Sequence, residues 1–144
     1  MAAVQPQQVL APLTPAAIFL VVTIGDGGEA RVHDALSELS GLVRAVGFRD
    51  PAKRLSLVTS IGSHAWDRLF AGPRPADLHP FIDLRGPRHH APATAGDLLF
   101  HIRAEREDRR FEFERQLLDV LGDAAAVVDE TTGFRYFEPA TCSG

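Results

Sequence analysis

At 144 residues the chain has single-domain length and can bury about 68–70% of the surface it exposes when unfolded. Hydrophobic residues make up 45% and charged residues 24%, an ordinary globular balance, and a net charge of −4 excludes a broad basic footprint for nucleic acid. The single cysteine, Cys142, excludes an internal disulfide or a thiolate metal cage; three residues from the end, it is expected to belong to a frayed terminus. The run Ala16 to Ile24 is too short to span a bilayer and has no basic leader before it, so no membrane partner is expected and a reducing cytoplasm is the expected location.

Residues 1–15, "MAAVQPQQVLAPLTP", carry three prolines and predict an extended arm without regular structure. "AAIFLVVTIG" then predicts a central strand, apolar on both faces, stopped by the turn cluster "GDGG". Val32, Ala35, Leu36, Leu39, Leu42, Val43 and Val46 recur at helical spacing, with Arg31, Asp34, Ser37, Glu38 and Arg44 off the stripe and Gly47 as the stop. "RLSLVTSIG" predicts a second strand, with Leu55, Leu57, Thr59 and Ile61 on one face. "SHAWDRLF" is compatible with one or two helical turns capped by Ser63.

Residues 72–94 hold five prolines and one short apolar segment, "HPFIDL", and predict a long functional or wrapping loop. "GDLLFHIR" alternates, with Leu98, Phe100 and Ile102 on one side and Leu99, His101 and Arg103 on the other, as a half-buried strand does. "EDRRFEFERQLLDVLG" predicts a helix with acidic residues at its start and Gly122 past its end. "AAAVVDETTGFRYF" closes the pattern as a strand that "TTG" could fold into a hairpin. The expected fold class is α+β, a ferredoxin-like split βαβ (β-α-β-β-α-β): a four-stranded antiparallel sheet with two helices on one face. The expected boundaries are an arm over 1–15, the domain over 16–137 and an irregular tail over 138–144. Two helices cover one face only, so water, a second copy, a ligand or a partner domain must meet the other.

No residue pattern completes an active site. His89 and His90 are adjacent and diverge in most backbone conformations, and neither a His-x₃-His pair nor a carboxylate-bracketed triad stands nearby. His101 is expected beside Arg103, whose charge disfavours both protonation and metal binding. Asp97 shares that strand face about 13 Å away. His33 on the polar flank of the first helix and His64 and His79 in loops are read as still poorer candidates for ligation. "GDGGEAR" lacks the spacing of a phosphate-cradling loop, no Gly-x-Ser-x-Gly elbow occurs, and Trp66 is read as a core anchor. The assigned catalytic, cofactor-binding and metal residues are therefore none. An oxygenase cavity under the sheet lacks a recognisable polar group, and the paired aromatic and basic residues of an RNA-binding strand are absent from "GDLLFHIR".

The blocks "QVLAPLTPAAIFLVVTI", "FIDLRGPRHHAPATAGDLLFHIRAER" and "VVDETTGFRYF", in that order over residues 5–137, resemble the N-terminal half of bacterial DyP-type (dye-decolourising) haem peroxidases. The resemblance implies two ferredoxin-like halves around one haem b, and peroxide-dependent oxidation of dyes and phenolic compounds. It also implies a distal Asp and Arg and a proximal His. Here "GFRYF" is followed by "EPATCSG" and the family's Gly-x-x-Asp-Gly motif has no counterpart, so no residue inherits those roles. The expectation is a chain that stops before the catalytic half, binds haem loosely if at all, and turns over little alone. The alternative is a non-catalytic assembly module that pairs two copies through its bare sheet face, a homo-oligomer in either case. Some members of the family are packaged in encapsulin shells.

Overall fold

A computed structural model describes residues 6–48 and 54–136. Cys142, the tail 138–144, residues 1–5 of the arm and Phe137 at the expected domain boundary lie outside the described residues. The elements run β1 (Ala16–Ile24), α1 (Glu29–Gly47), β2 (Ser56–Ile61), α2 (Ser63–Leu69), β3 (Leu84–Arg85), β4 (His90–Ala91), β5 (Leu98–Ala104), α3 (Glu107–Leu121), a 3₁₀ turn (Gly122–Ala124) and β6 (Ala125–Phe134).

Four strands form one sheet in the order β2-β5-β1-β6, and every neighbouring pair is antiparallel. β1 lies between β5 and β6, a central place that suits a run apolar on both faces. Ala16, Ile18, Leu20, Val22 and Ile24 are buried towards the helices. They meet Val32, Ala35, Leu39 and Val46 of α1, Leu98, Phe100 and Ile102 of β5, and Phe113, Leu117 and Leu121 of α3. Phe113 and Phe100 are the largest fully buried side chains.

The expectation of two helices needs correction, since three among the described residues pack on the core. Ala65 and Leu69 bring α2 into it, and Gly62, in extended conformation, occupies the cap position that Ser63 was expected to hold. Arg68 fixes this short helix. Its guanidinium donates to the Glu29 carboxylate at 2.8 and 3.0 Å, to the Ile24 carbonyl at 3.2 Å and to Asp97 at 3.4 Å. The Asp97 carboxylate also accepts the Ile24 backbone N–H at 2.7 Å, which ties the end of β1 to the start of β5. Seven residues have too few main-chain bonds to stand alone, and these side chains supply the anchorage.

Two further expectations change. The 72–94 segment is not wholly irregular: β3 and β4 make a two-stranded hairpin closed across Gly86 and His89. "TTG" does not turn, for β6 runs unbroken along β1, and its irregularity is a bulge opposite Val21 and Val22 that leaves Val128 extra. The "GDGG" cluster is a turn packed tightly under the 3₁₀ segment. Gly27 takes a φ of +76°, and a side chain on Gly28 would strike the backbone of Ala124.

Residues 6–15 have no regular structure, yet they are held. From Gln7 at the edge of β2 they cross the helix-free face of β5 to the start of β1. Arg103 donates to the carbonyls of Ala11 at 2.9 Å, Gln8 at 3.2 Å and Val9 at 3.4 Å. Burial of α3 predicts a sharp contrast within one helix. Phe113→Ala is expected to lower unfolding free energy by about 3–5 kcal/mol, whereas Phe111→Ala, 59% exposed in the native chain, should change it by less than about 0.5 kcal/mol in urea titrations.

Candidate functional site

The face of the sheet away from the helices carries the best candidate. Antiparallel register sets which side chains share it. Ala17, Phe19 and Val21 of β1 stand opposite Arg103, His101 and Leu99 of β5 and Gly133, Thr131 and Asp129 of β6. Leu13 and Thr14 of the arm rim one side. With Ala17, Phe19, His101, Arg103 and Gly133 to Arg135 they enclose a shallow, mostly apolar hollow of about 290 Å³.

Phe19 and His101 face each other across the β1–β5 pair, as side chains on directly opposed residues must. Their rings stack at 4.2 Å with 16° between planes, while Phe19 remains 40% exposed. Burial first, and the charge of Arg103 second, push the His101 pKa below its ordinary value, so its imidazole is neutral at neutral pH. Arg103, only 5% exposed, has two of its nitrogens bonded to arm carbonyls and its Nε without a partner among the described residues. It is a cation stabilised by main-chain dipoles rather than by a carboxylate, and those donors are not available to a ligand.

The other histidines lie apart from this face. His89 is exposed at the hairpin, and His90 Nε2 lies 3.2 Å from the Asp83 carboxylate. Asp83 also accepts the Ala93 N–H, and so closes the base of the hairpin. His79 Nδ1 is 2.7 Å from the Pro80 carbonyl, and His33 lies 6.0 Å from the Phe70 ring on α1. His64, expected in a loop, is exposed on α2. Trp66 lies half-buried against Phe70 with ring centroids 4.9 Å apart. Asp97 does not join His101, being used at the strand end as described. Among the described residues no three His, Cys, Asp or Glu side chains converge as a metal site, and no helix is long and apolar enough to cross a membrane.

A planar apolar cofactor would fit this face as one wall and no more. Phe19, Leu13, Ala17 and Gly133 give a low platform with an aromatic ring at its centre. The sole imidazole is engaged with Phe19 and neighbours a cation, which is poor chemistry for an axial ligand. The sequence singled out His101 through its place in the alternation but contained no sign of its stack with Phe19, which the register of two strands about 80 residues apart creates. Arg103 as the holder of the arm left no sequence signal beyond an arginine set between apolar neighbours.

The chain matches the family model "Dyp-type peroxidase, N-terminal" over residues 6–135. It is 71% identical over 136 residues to a dye-decolorizing peroxidase of Mycobacterium tuberculosis, covering 94% of this chain and 41% of that protein. For one of Rhodococcus erythropolis the identity is 59% over 139 residues, with 96% and 41% covered. Among solved structures, the encapsulated DyP-type peroxidase from Mycobacterium smegmatis superposes with a TM-score of 0.90 at 67% identity, covering 94% of this chain and 44% of that one. A variant of DypB from Rhodococcus jostii in complex with heme gives 0.87 at 51% identity, with 93% and 44% covered. The chain thus spans about two-fifths of the length of these relatives. A sheet whose three helices pack on one side, an apolar hollow on the other and a match running through every described element together make this chain a member of the DyP-type peroxidase family, corresponding to its N-terminal domain.

Proposed function

We propose that this chain is the ferredoxin-like N-terminal half of a haem-dependent peroxidase, over residues 16–137, and that its bare sheet face is one wall of the haem cavity. The observation that carries the reading is the apolar hollow around Phe19 on the face that no helix covers. When bound, haem b supplies peroxide-dependent oxidation of dyes and phenolic compounds. This chain's own residues supply shape and exclusion of water: Phe19 and Leu13 as apolar surface, neutral His101 as a buttress to Phe19, and Arg103 as the fastening of the arm that bounds the hollow. No residue here is assigned a catalytic, iron-ligating or other metal-binding role. Acid–base assistance over the distal face, typically worth 10²–10⁴-fold, has to come from outside residues 1–144.

A cytoplasmic location, with packaging in an encapsulin shell, is part of the same proposal; the Mycobacterium smegmatis relative is described as encapsulated. A second reading, a non-catalytic module that pairs two copies face to face, draws on the same surface. Leu13, Phe19 and Phe134 are 69%, 40% and 73% exposed there, an apolar patch of the kind that self-association covers.

Two measurements test these statements. Haem added to the purified chain is expected to give no stoichiometric Soret band and no peroxide-dependent bleaching of a dye; a stoichiometric complex with sustained bleaching would overturn the assignment of the catalytic groups to another segment. His101 also makes stability depend on pH. Its folded pKa lies below the unfolded value of 6.5, so the unfolded chain takes up its proton first. The stability it contributes is complete above about pH 6.5 and is lost as pH falls from there through the folded pKa. Denaturant midpoints of the native chain should fall across that window, and His101→Gln should flatten the profile.

A further inference from the structure

Independently of the haem reading, we propose that residues 6–15 act as a strap that closes the β2 edge of the sheet, with Gln7 occupying the main-chain groups through which a second copy would add its own β2. Among the described residues the sheet order leaves β2 with one paired side, towards β5, and one side that no strand pairs. In an antiparallel pair, successive residues direct their N–H and C=O alternately towards the partner and away from it. The Gln7 side-chain amide bonds Thr59 on its outward side. Nε2 donates to the Thr59 carbonyl at 3.0 Å, and Oε1 accepts the Thr59 N–H at 2.7 Å. The outward residues of β2 are therefore Leu57, Thr59 and Ile61, with Thr59 at the centre.

A primary amide carries the same donor and acceptor as a peptide group, so Gln7 imitates one residue of a neighbouring strand. Its position matters more than its number of bonds. Antiparallel addition of a second β2 about a two-fold axis at Thr59 would exchange the N–H and C=O of Thr59 with those of its counterpart, and Gln7 holds both groups. Either side of it a single outward residue remains, too little for a ladder. Alongside runs a groove of about 360 Å³ lined by Leu36, Leu39, Val43, Leu57, Ile61 and Phe70, which would make an unguarded edge adhesive. The strap is fastened by polar contacts. Arg103 grips three of its carbonyls, while its Val9 and Leu10 are 59% and 97% exposed. Such a strap can lift without unpacking the core.

Backbone amide exchange by NMR on the 144-residue chain, at low and high concentration, tests this. In the native chain the Thr59 amide should be protected about tenfold over those of Leu57 and Ile61, the scale of one net hydrogen bond. In Gln7→Ala that protection should vanish in dilute solution. At high concentration Leu57, Thr59 and Ile61 should gain protection together, as sedimentation reports a heavier species. Gln7→Glu, which keeps the acceptor but places an oxygen against the Thr59 carbonyl, should behave in the same direction at neutral pH and recover when its carboxyl is protonated. Adding Thr59→Pro to Gln7→Ala removes the central donor and should abolish the association. Protection of Phe100 and Ile102, paired on both sides within the sheet, reports that each variant is folded. Equal exchange of Leu57, Thr59 and Ile61 in the native chain would overturn the proposal. So would Gln7→Ala and Gln7→Glu chains that stay monomeric at every concentration, or association that survives Thr59→Pro. Pairing through the Phe19 face would leave these three amides unprotected and is thereby distinguished.

Discussion

A sheet with all its helices on one side leaves the outward residues of its central strands to find cover elsewhere, and that constraint organises the rest of this structure. β1 has partners on both sides, so its main-chain N–H and C=O groups, which point across the strand, find partners. Its outward side chains are another matter: Ala17 and Val21 are half-buried and Phe19 is substantially exposed. The chain meets part of the demand itself by laying residues 6–15 over β5 and β2, where Val58, on the same helix-free face as His101, is buried. The part left bare is the region around Phe19.

Arg103 shows how costly that self-cover is. A guanidinium only 5% exposed loses most of its hydration, and no carboxylate lies within ion-pair reach of it among the described residues. Three carbonyl oxygens replace the water. Carbonyl dipoles suit a delocalised, weakly hydrated cation better than they would an ammonium group. The side chain thereby joins a segment with no secondary structure of its own to the most buried strand of the sheet. The same charge bears on His101, whose neutrality follows from burial and from this neighbour. A neutral imidazole can lie flat against Phe19 without taking an unpaired charge into an apolar hollow.

What the sequence disclosed follows the range of the interactions. The alternation in β1 and β5 and the stripe of α1 come from each element's own period, and the burial of Val32, Ala35, Leu39 and Val46 matches it. The corrections at α2 and β6 involve partners distant in sequence. α2 is stable because Arg68 reaches Glu29 and Asp97, 39 and 29 residues away, and seven residues of local propensity cannot display that. "TTG" reads locally as a turn, but nine pairings to β1 keep it extended. The β3–β4 hairpin depends on Asp83 reaching Ala93 and His90 around a turn that contains Gly86 and Pro87. Gln7 lies 52 residues from Thr59, and nothing in a glutamine among other glutamines marks which one faces a strand edge.

The distribution of burial also bears on how such a half can exist as a folded unit. Every one of the fully buried large side chains, from Phe100 and Phe113 to Val22 and Val32, lies on the helix side of the sheet. Among the described residues the core therefore lies wholly on that side, and cover on the Phe19 face would add to it without being needed to close it. Loss of that cover exposes a platform and unpacks nothing. A protein built so divides its two faces: close packing on one side provides stability, and the opposite side is not needed for it. The price of this division is an adhesive surface and an open β2 edge until they are covered. A strap held by hydrogen bonds to Arg103 and Thr59 answers the second of these problems without borrowing any apolar side chain from the core.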